Sequence, residues 1–234
     1  MRTAIMQPYF LPYLGYFQLI SAVDTFVIYD TIQYTKRGWI NRNQMLRNGA
    51  ATMFSIPLKK DSDYLNVVDR HISEAFEPSK LCNQISGAYR KAPEFNTVMP
   101  LIESILLFRG SNLFEYIHNS IVACCDHLNL KTTLRISSDV EGGSSSLRNT
   151  DRVIDICKRT NAAGYVNPPG GRDLYSSDVF QAQGIELQFL QPRLTAYPQF
   201  GDPFVPSLSI LDVMMFNSRE KISKELIPEY NLAK

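Results

Sequence analysis

Six basic residues, Lys36, Arg37, Arg42, Arg47, Lys59 and Lys60, lie between positions 31 and 60 with no acidic residue among them. The whole chain carries 24 Lys+Arg against 23 Asp+Glu, a formal net charge of +1, so the other 18 basic residues face all 23 acidic ones. Arginine grips a phosphate through its planar fork, and lysine supplies a point charge. The window therefore reads as an anion site, with Lys36, Arg42 and Lys59 as its cations. A solvated basic face is the plainer alternative. Trp39, Asn41 and Asn43, interleaved with the basic residues, favour a site and join its substrate-binding candidates. With so small a net charge, the chain as a whole has no bias toward nucleic acid.

Upstream, Tyr9, Phe10, Tyr13, Tyr16 and Phe17 place five aromatic residues within nine positions, and Pro8 and Pro12 stiffen the backbone between them. These rings could plug a sheet edge. They could equally hold a ligand, since a buried tyrosine hydroxyl needs a partner. Asp30 follows an apolar run of strand length and is placed to accept a proton or to orient Lys36 or Arg42. An aspartate ending a strand is also ordinary turn chemistry. Tyr13, Tyr16 and Asp30 are the catalytic candidates, and Gln7 joins the binding residues.

Asp212 sits in the apolar run 208–216 and needs a basic or tyrosyl partner if buried. Arg42 or Lys59 would suit, and Asp212 is counted with the binding residues. The loop from Asn167 through Pro168, Pro169, Gly170 and Gly171 to Arg172 could cradle a phosphate or sugar with its backbone amides, or simply turn the chain. His71, His118 and His127 have no metal-pair spacing, and no metal or cofactor is expected. Cys82, Cys124, Cys125 and Cys157 match no zinc pattern and fall on apolar faces, so they read as inert core thiols in a reducing cytoplasm.

These residues need a frame. Residues 3–6 read as a buried strand, 15–23 as a helix and 25–29 as a second strand, which together make a βαβ unit and imply a parallel sheet. A strand is expected at 51–58, and helices at 80–91, 95–108 and 113–128. Alternation resumes with strands at 132–137, 164–167 and 185–190, helices at 151–161 and 176–183, and a Gly/Ser-rich loop at 141–146. Asn149 or Thr150 is the expected cap of the helix at 151–161, and Ser207 that of the helix at 207–216. A last helix is expected at 218–227. The pattern predicts an α/β fold: one domain over 1–234, a Rossmann-like parallel sheet with a helical insertion at about 78–130. Gln7 and Asp30 then end neighbouring parallel strands, so both sit at the carboxyl edge, where such sheets bind ligands. No apolar stretch approaches the roughly twenty residues that span a bilayer, and the N-terminus reads as mature structure.

Two resemblances add to this. Tyr13-Leu14-Gly15-Tyr16, followed by Leu19-Ile20 and Ala22, is similar to the H-x-G-H segment that opens the first helix of nucleotidylyltransferases, with both histidines replaced by tyrosine. That implies a nucleotidylyltransferase-like N-terminal βαβ more than adenylyl transfer, because a tyrosine carries no positive charge near neutral pH. The stretch from Met6 through Gln7, Pro8, Tyr9, Phe10, Leu11, Pro12 and Tyr13 to Ile20 resembles the opening of the WbqC-like family. So do 24–30, Gly38-Trp39-Ile40-Asn41-Arg42-Asn43, and 208–217 from Leu208 to Asn217.

That second resemblance implies a protein of bacterial O-antigen or other modified-sugar clusters. It implies transfer of an acyl or aminoacyl group, with a carrier-protein thioester as donor, onto a nucleotide-linked amino sugar. The partners implied are the nucleotide-linked sugar and an acyl carrier protein. Two alternatives stand beside it: a degenerate nucleotidylyltransferase, and a non-catalytic module that binds a nucleotide-sugar or a carrier protein.

Overall fold

At the centre of the sheet lies β1 (Arg2–Met6). A computed structural model describes residues 1–142, 146–201 and 203–234. Three central residues of β1 are buried, because helices cover both faces of the strand. Helix α1 (Leu14–Ser21) returns the chain to β2 (Thr25–Ile28), which pairs in parallel with β1 from Thr3–Thr25 to Met6–Ile28. Side chains alternate across the sheet. Ala4, Phe26 and Ile28 feed one apolar cluster, while Ile5 and Val27 feed the other on the opposite face.

After β2 the chain builds an antiparallel hairpin, β3 (Arg42–Arg47) and β4 (Ala50–Ser55), separate from the main sheet. Three helices follow: α2 (Pro78–Tyr89), α3 (Phe95–Leu106) and α4 (Leu113–His127). β5 (Thr133–Ile136) then pairs in parallel with β2. α5 (Ser137–Glu141) and α6 (Asn149–Arg159) lead to β6 (Gly164–Asn167), and α7 (Ser177–Gln181) leads to β7 (Glu186–Pro192). α8 (Ile210–Phe216), α9 (Arg219–Lys221), which runs on as a π-helical turn over Ile222–Leu226, and the antiparallel edge strand β8 (Tyr230–Ala233) follow.

The strand order is β5-β2-β1-β6-β7-β8, parallel except for β8, which is a Rossmann-like arrangement. From β1 the chain steps outward to β2 and β5, then returns to the other side of β1 for β6 and β7. Connections leave the carboxyl ends of β1 and β6 in opposite directions, which opens a crevice there. The β1–β6 ladder joins only Arg2 to Gly164 and Thr3 to Tyr165, whereas β1–β2 joins four pairs.

Four sequence expectations are corrected. β3 was not foreseen, and the strand expected at 51–58 is the second arm of its hairpin rather than part of the parallel sheet. Asn149 and Thr150 lie inside α6, whose cap position is Arg148 without a side-chain bond. Ser209, not Ser207, caps α8, its Oγ accepting from Leu211 N at 3.2 Å. Edge strand β8 was missed. Of the loop expected at 141–146, residues 143–145 lie outside the described residues; Glu141 ends α5, and Gly142 follows it in the left-handed conformation, φ 71°.

Candidate functional site

Past β1 the chain turns sharply through residues 7–13. Leu11, fully buried, sits at φ 43°, a left-handed conformation costly for a branched side chain. Surrounding bonds hold it there. Its carbonyl accepts from Asn43 Nδ2 at 2.8 Å and from Ser209 Oγ at 2.6 Å. Phe10 N donates to Ile40 O, Ser209 N to Gln44 O and Ile210 N to Pro12 O, at 2.7–2.9 Å. Three segments remote in sequence, around residues 7–13, 39–44 and 207–212, are thereby tied into one knot at the carboxyl end of β1.

A cavity of about 360 Å³ opens in this knot, lined by Met6, Tyr9, Pro12, Tyr13, Trp39, Asn43 and Ser207. Its walls are mainly apolar and aromatic. Ser207 is a second non-glycine residue in the left-handed region, φ 59°. Tyr13 owes its position to its neighbour: a Cβ on Gly15 would meet the Tyr13 ring at 2.5 Å, so only glycine lets the ring lie across the start of α1. Tyr9 Oη donates to Gln7 Oε1 at 3.2 Å. Burial raises the pKa of Tyr9 and Tyr13, so both hydroxyls stay neutral donors near pH 7.

The structure brings Tyr13, Trp39 and Asn43 to the cavity and Gln7 to its edge through Tyr9. The other candidates lie around it. Tyr16 is buried, its hydroxyl donating to Gln7 O at 3.0 Å. Asn41 accepts from Tyr34 Oη at 2.8 Å and donates to Ile56 O at 2.7 Å. Arg42 donates from Nε to Gly38 O at 2.9 Å and from Nη2 to Arg37 O at 2.6 Å, tying down the basic loop that carries Trp39. Lys36 pairs with Asp63 at 2.8 Å on the surface, and Lys59 is exposed.

Asp212 is fully buried behind the knot. Its partners are Tyr89 Oη (2.8 Å), Tyr197 Oη (2.7 Å) and Gln199 Nε2 (2.8 Å), so the tyrosyl expectation holds, whereas neither Arg42 nor Lys59 reaches it. Burial raises its pKa, and the three donors pull it back.

Asp30 lies at the same edge as Gln7, since Met6 pairs with Ile28. It is buried at the start of α5, and its Oδ1 accepts from Ser137 Oγ at 2.5 Å and Ser138 N at 3.0 Å. Beside it runs a network that sequence reasoning missed. Arg152 holds Glu141 through two bonds of 2.6 Å, donates to Thr31 Oγ1 at 2.6 Å and stacks 4.8 Å from the Tyr29 ring centroid. No local motif marks that pair, because 11 positions separate its members.

The Gly170-Gly171 segment forms a 3₁₀ turn, Pro169–Leu174. A Cβ on Gly171 would meet Asn167 Nδ2 at 1.8 Å, so close packing on Asn167 explains that glycine. All four thiols are buried, and burial pushes Cys125 and Cys157 up to about 12. Among the described residues no cluster of three His, Cys, Asp or Glu could hold a metal ion, and no helix is long and apolar enough to cross a membrane.

The model of the WbqC-like protein family matches residues 7–224. The chain belongs to this family. A similar chain is an uncharacterized protein of Mycobacterium tuberculosis, 27% identical over 219 residues, covering 92% of this chain and 93% of that one. No solved structure matches significantly. The WbqC-like match begins at Gln7, where the knot begins, and runs through all three segments that form the aromatic cavity.

Proposed function

We propose that this WbqC-like protein is a cytoplasmic transferase of modified-sugar biosynthesis. It places an acyl or aminoacyl group, delivered as a carrier-protein thioester, on the amine of a nucleotide-linked sugar. The observation that carries this reading is the aromatic cavity built from three distant segments and bordered by the basic loop. Aromatic walls with a few polar groups suit the mixed apolar and polar faces of a pyranose, and the loop carrying Lys36 and Arg37 offers charge to a diphosphate. A cavity of about 360 Å³ is within the range of small-ligand sites.

An amine attacking a thioester requires positioning, donors for the developing oxyanion and a proton acceptor. Tyr13 is a neutral donor at the cavity, Tyr9 becomes one on releasing Gln7, and Asp30 is the acceptor in this reading, held at the same edge by Ser137 and Ser138. Thiol catalysis is disfavoured, since burial raises the pKa of every cysteine. Adenylyl transfer is disfavoured by Tyr16, whose hydroxyl is committed to the Gln7 carbonyl within the core.

The experiment is a mass-spectrometric screen of nucleotide-linked amino sugars with acyl and aminoacyl carrier-protein thioesters. A mass gain on the sugar with loss of the thioester supports the reading. Pyrophosphate release from a nucleoside triphosphate in place of acyl transfer overturns it in favour of a nucleotidylyltransferase. Tight sugar binding with no product from any pair overturns it in favour of a binding module.

A further inference from the structure

Arg70 is only 5% exposed, yet among the described residues no carboxylate lies within ion-pair distance of it. Its Nη1 donates to Ser62 O at 2.8 Å and its Nη2 approaches Lys59 O at 3.4 Å, while Nε is buried without a partner. The guanidinium lies 4.9 Å from the centroid of the Tyr34 ring. A buried cation lacking a counter-charge is costly to retain. Arg42, half-buried, likewise spends its Nε and Nη2 on carbonyls, those of Gly38 and Arg37.

These charges meet around one hydroxyl. Burial raises the Tyr34 pKa, and Arg70, Arg42 and Lys36, in that order, pull it back. The segment carrying Tyr34 and Lys36 is fastened to the one carrying Asp63. Tyr34 N donates to Leu65 O and Gln33 Nε2 to Asp63 O, both at 3.0 Å. Among the described residues the one carboxylate that answers the cluster is Asp63, on Lys36, with side chains 58% and 68% exposed. A single exposed ion pair of this kind contributes little, so a more highly charged anion can displace it. Trp39, three residues beyond Lys36, stands on the cavity wall.

We propose that the facing segments 33–42 and 59–66 form a pyrophosphate-binding site, in which Asp63 holds Lys36 in the ligand-free chain and yields it to the ligand. Lys36 touches the phosphates through Nζ, and Arg42 through Nη1, since its Nε and Nη2 are held by the loop carbonyls of Gly38 and Arg37. Arg70, beneath Tyr34, is a positioning residue that supplies fixed positive charge and anchors the carbonyls of residues 59 and 62. The inference rests on the transferase reading only for what is attached to the pyrophosphate.

The test titrates the protein with inorganic pyrophosphate, orthophosphate and uridine diphosphate. Calorimetry is read beside the fluorescence of Trp39, the only tryptophan of the chain. Pyrophosphate and uridine diphosphate should bind more tightly than orthophosphate, and less tightly as salt rises. Lys36→Ala should weaken pyrophosphate binding about tenfold or more, the usual loss of a charged contact. Asp63→Asn should tighten it by about threefold or more, because the competing carboxylate is gone. Arg70→Lys should retain more affinity than Arg70→Gln.

Lys36 and Asp63 are exposed, so both variants should fold. Asp63→Asn binding no more tightly than wild type overturns the proposal, as does a wild type that ignores millimolar pyrophosphate. The probes carry neither sugar nor acyl group. Absence of acyl transfer therefore leaves a positive binding result standing, and absence of pyrophosphate binding leaves the transfer assay to be judged separately.

Discussion

Tyr89→Phe probes the join between the middle helices and the site. The hydroxyl of Tyr89 does two things: it donates to Asp212 Oδ1 at 2.8 Å and accepts from Leu46 N at 2.8 Å. Its ring packs against Phe216 and Phe200 and would stay in place as phenylalanine. The variant therefore isolates the oxygen. Losing a bond to a charged group costs about 1.5–3 kcal/mol, and stranding the buried Leu46 N–H costs about 1–3 kcal/mol. The sum is a destabilisation of about 2.5–6 kcal/mol.

Tyr197→Phe removes one bond to Oδ2, which keeps Gln199, so it should cost only about 1.5–3 kcal/mol. Acidity supplies a second readout. Asp212 has a folded pKa raised by burial above its ordinary 3.8. Such a group favours the fold below its unfolded pKa, and that contribution is lost as pH rises through the folded value. Deleting a donor raises the folded pKa further, so the penalty of Tyr89→Phe should be larger at pH 7 than at pH 4. At pH 4 the Leu46 share should remain. Urea unfolding of both variants at the two pH values measures all of this. Equal penalties at pH 4 and pH 7, or a greater cost for Tyr197→Phe, would refute the reasoning.

Asn43→Ala removes the donor to the Phe10 and Leu11 carbonyls, and should cost about 2–4 kcal/mol in urea unfolding while abolishing ligand-dependent Trp39 fluorescence. Trp39→Ala, at a residue 43% exposed, should change stability by less than about 1 kcal/mol but weaken nucleotide-sugar binding at least tenfold by calorimetry. Asp30→Asn keeps an oxygen able to accept from Ser137 and Ser138, so it should fold normally while acyl transfer falls about 100-fold or more; full activity would confine Asp30 to holding α5. The native protein should resist a thiol reagent such as dithiobisnitrobenzoate, then release four equivalents once unfolded in urea, because all four cysteines are buried.

The parallel sheet was readable because β1, β2 and β6 are short apolar runs separated by helix-period segments, and residues of that kind have few alternatives. The hairpin was not, because Arg42–Arg47 is mostly polar and buries only Asn43, Met45 and Leu46. A signal was present nonetheless: Asn48 and Gly49, at φ 52° and 76°, form the Asn-Gly turn that joins such strands. For the candidate site, residue types pointed to the carboxyl edge, where the structure places Tyr13, Asp30 and Asn43. They could not tell a side chain that faces a cavity from one that braces it. Asn41 and Asn43 differ by two positions, yet only Asn43 lines the cavity. Arg42 looked like a free cation and is bonded to its own loop, a choice made by the local chain path that no composition count contains.

The knot around Leu11 also has a consequence in time. Its two clamps come from Asn43 and from Ser209, the second nearly two hundred positions later, and the central strand waits for β6 on its far side. During synthesis, the aromatic segment emerges long before Ser209 and cannot close fully until residues 207–212 have left the ribosome. Contacts so distant in sequence make for slow folding and prolonged exposure of sticky rings. A nascent chain halted at residue 206 would carry every lining residue of the cavity but Ser207, and only the Asn43 half of its clamp. Newly made protein should therefore lean on chaperones until residues 207–212 have emerged, and ligand binding should appear only after that point.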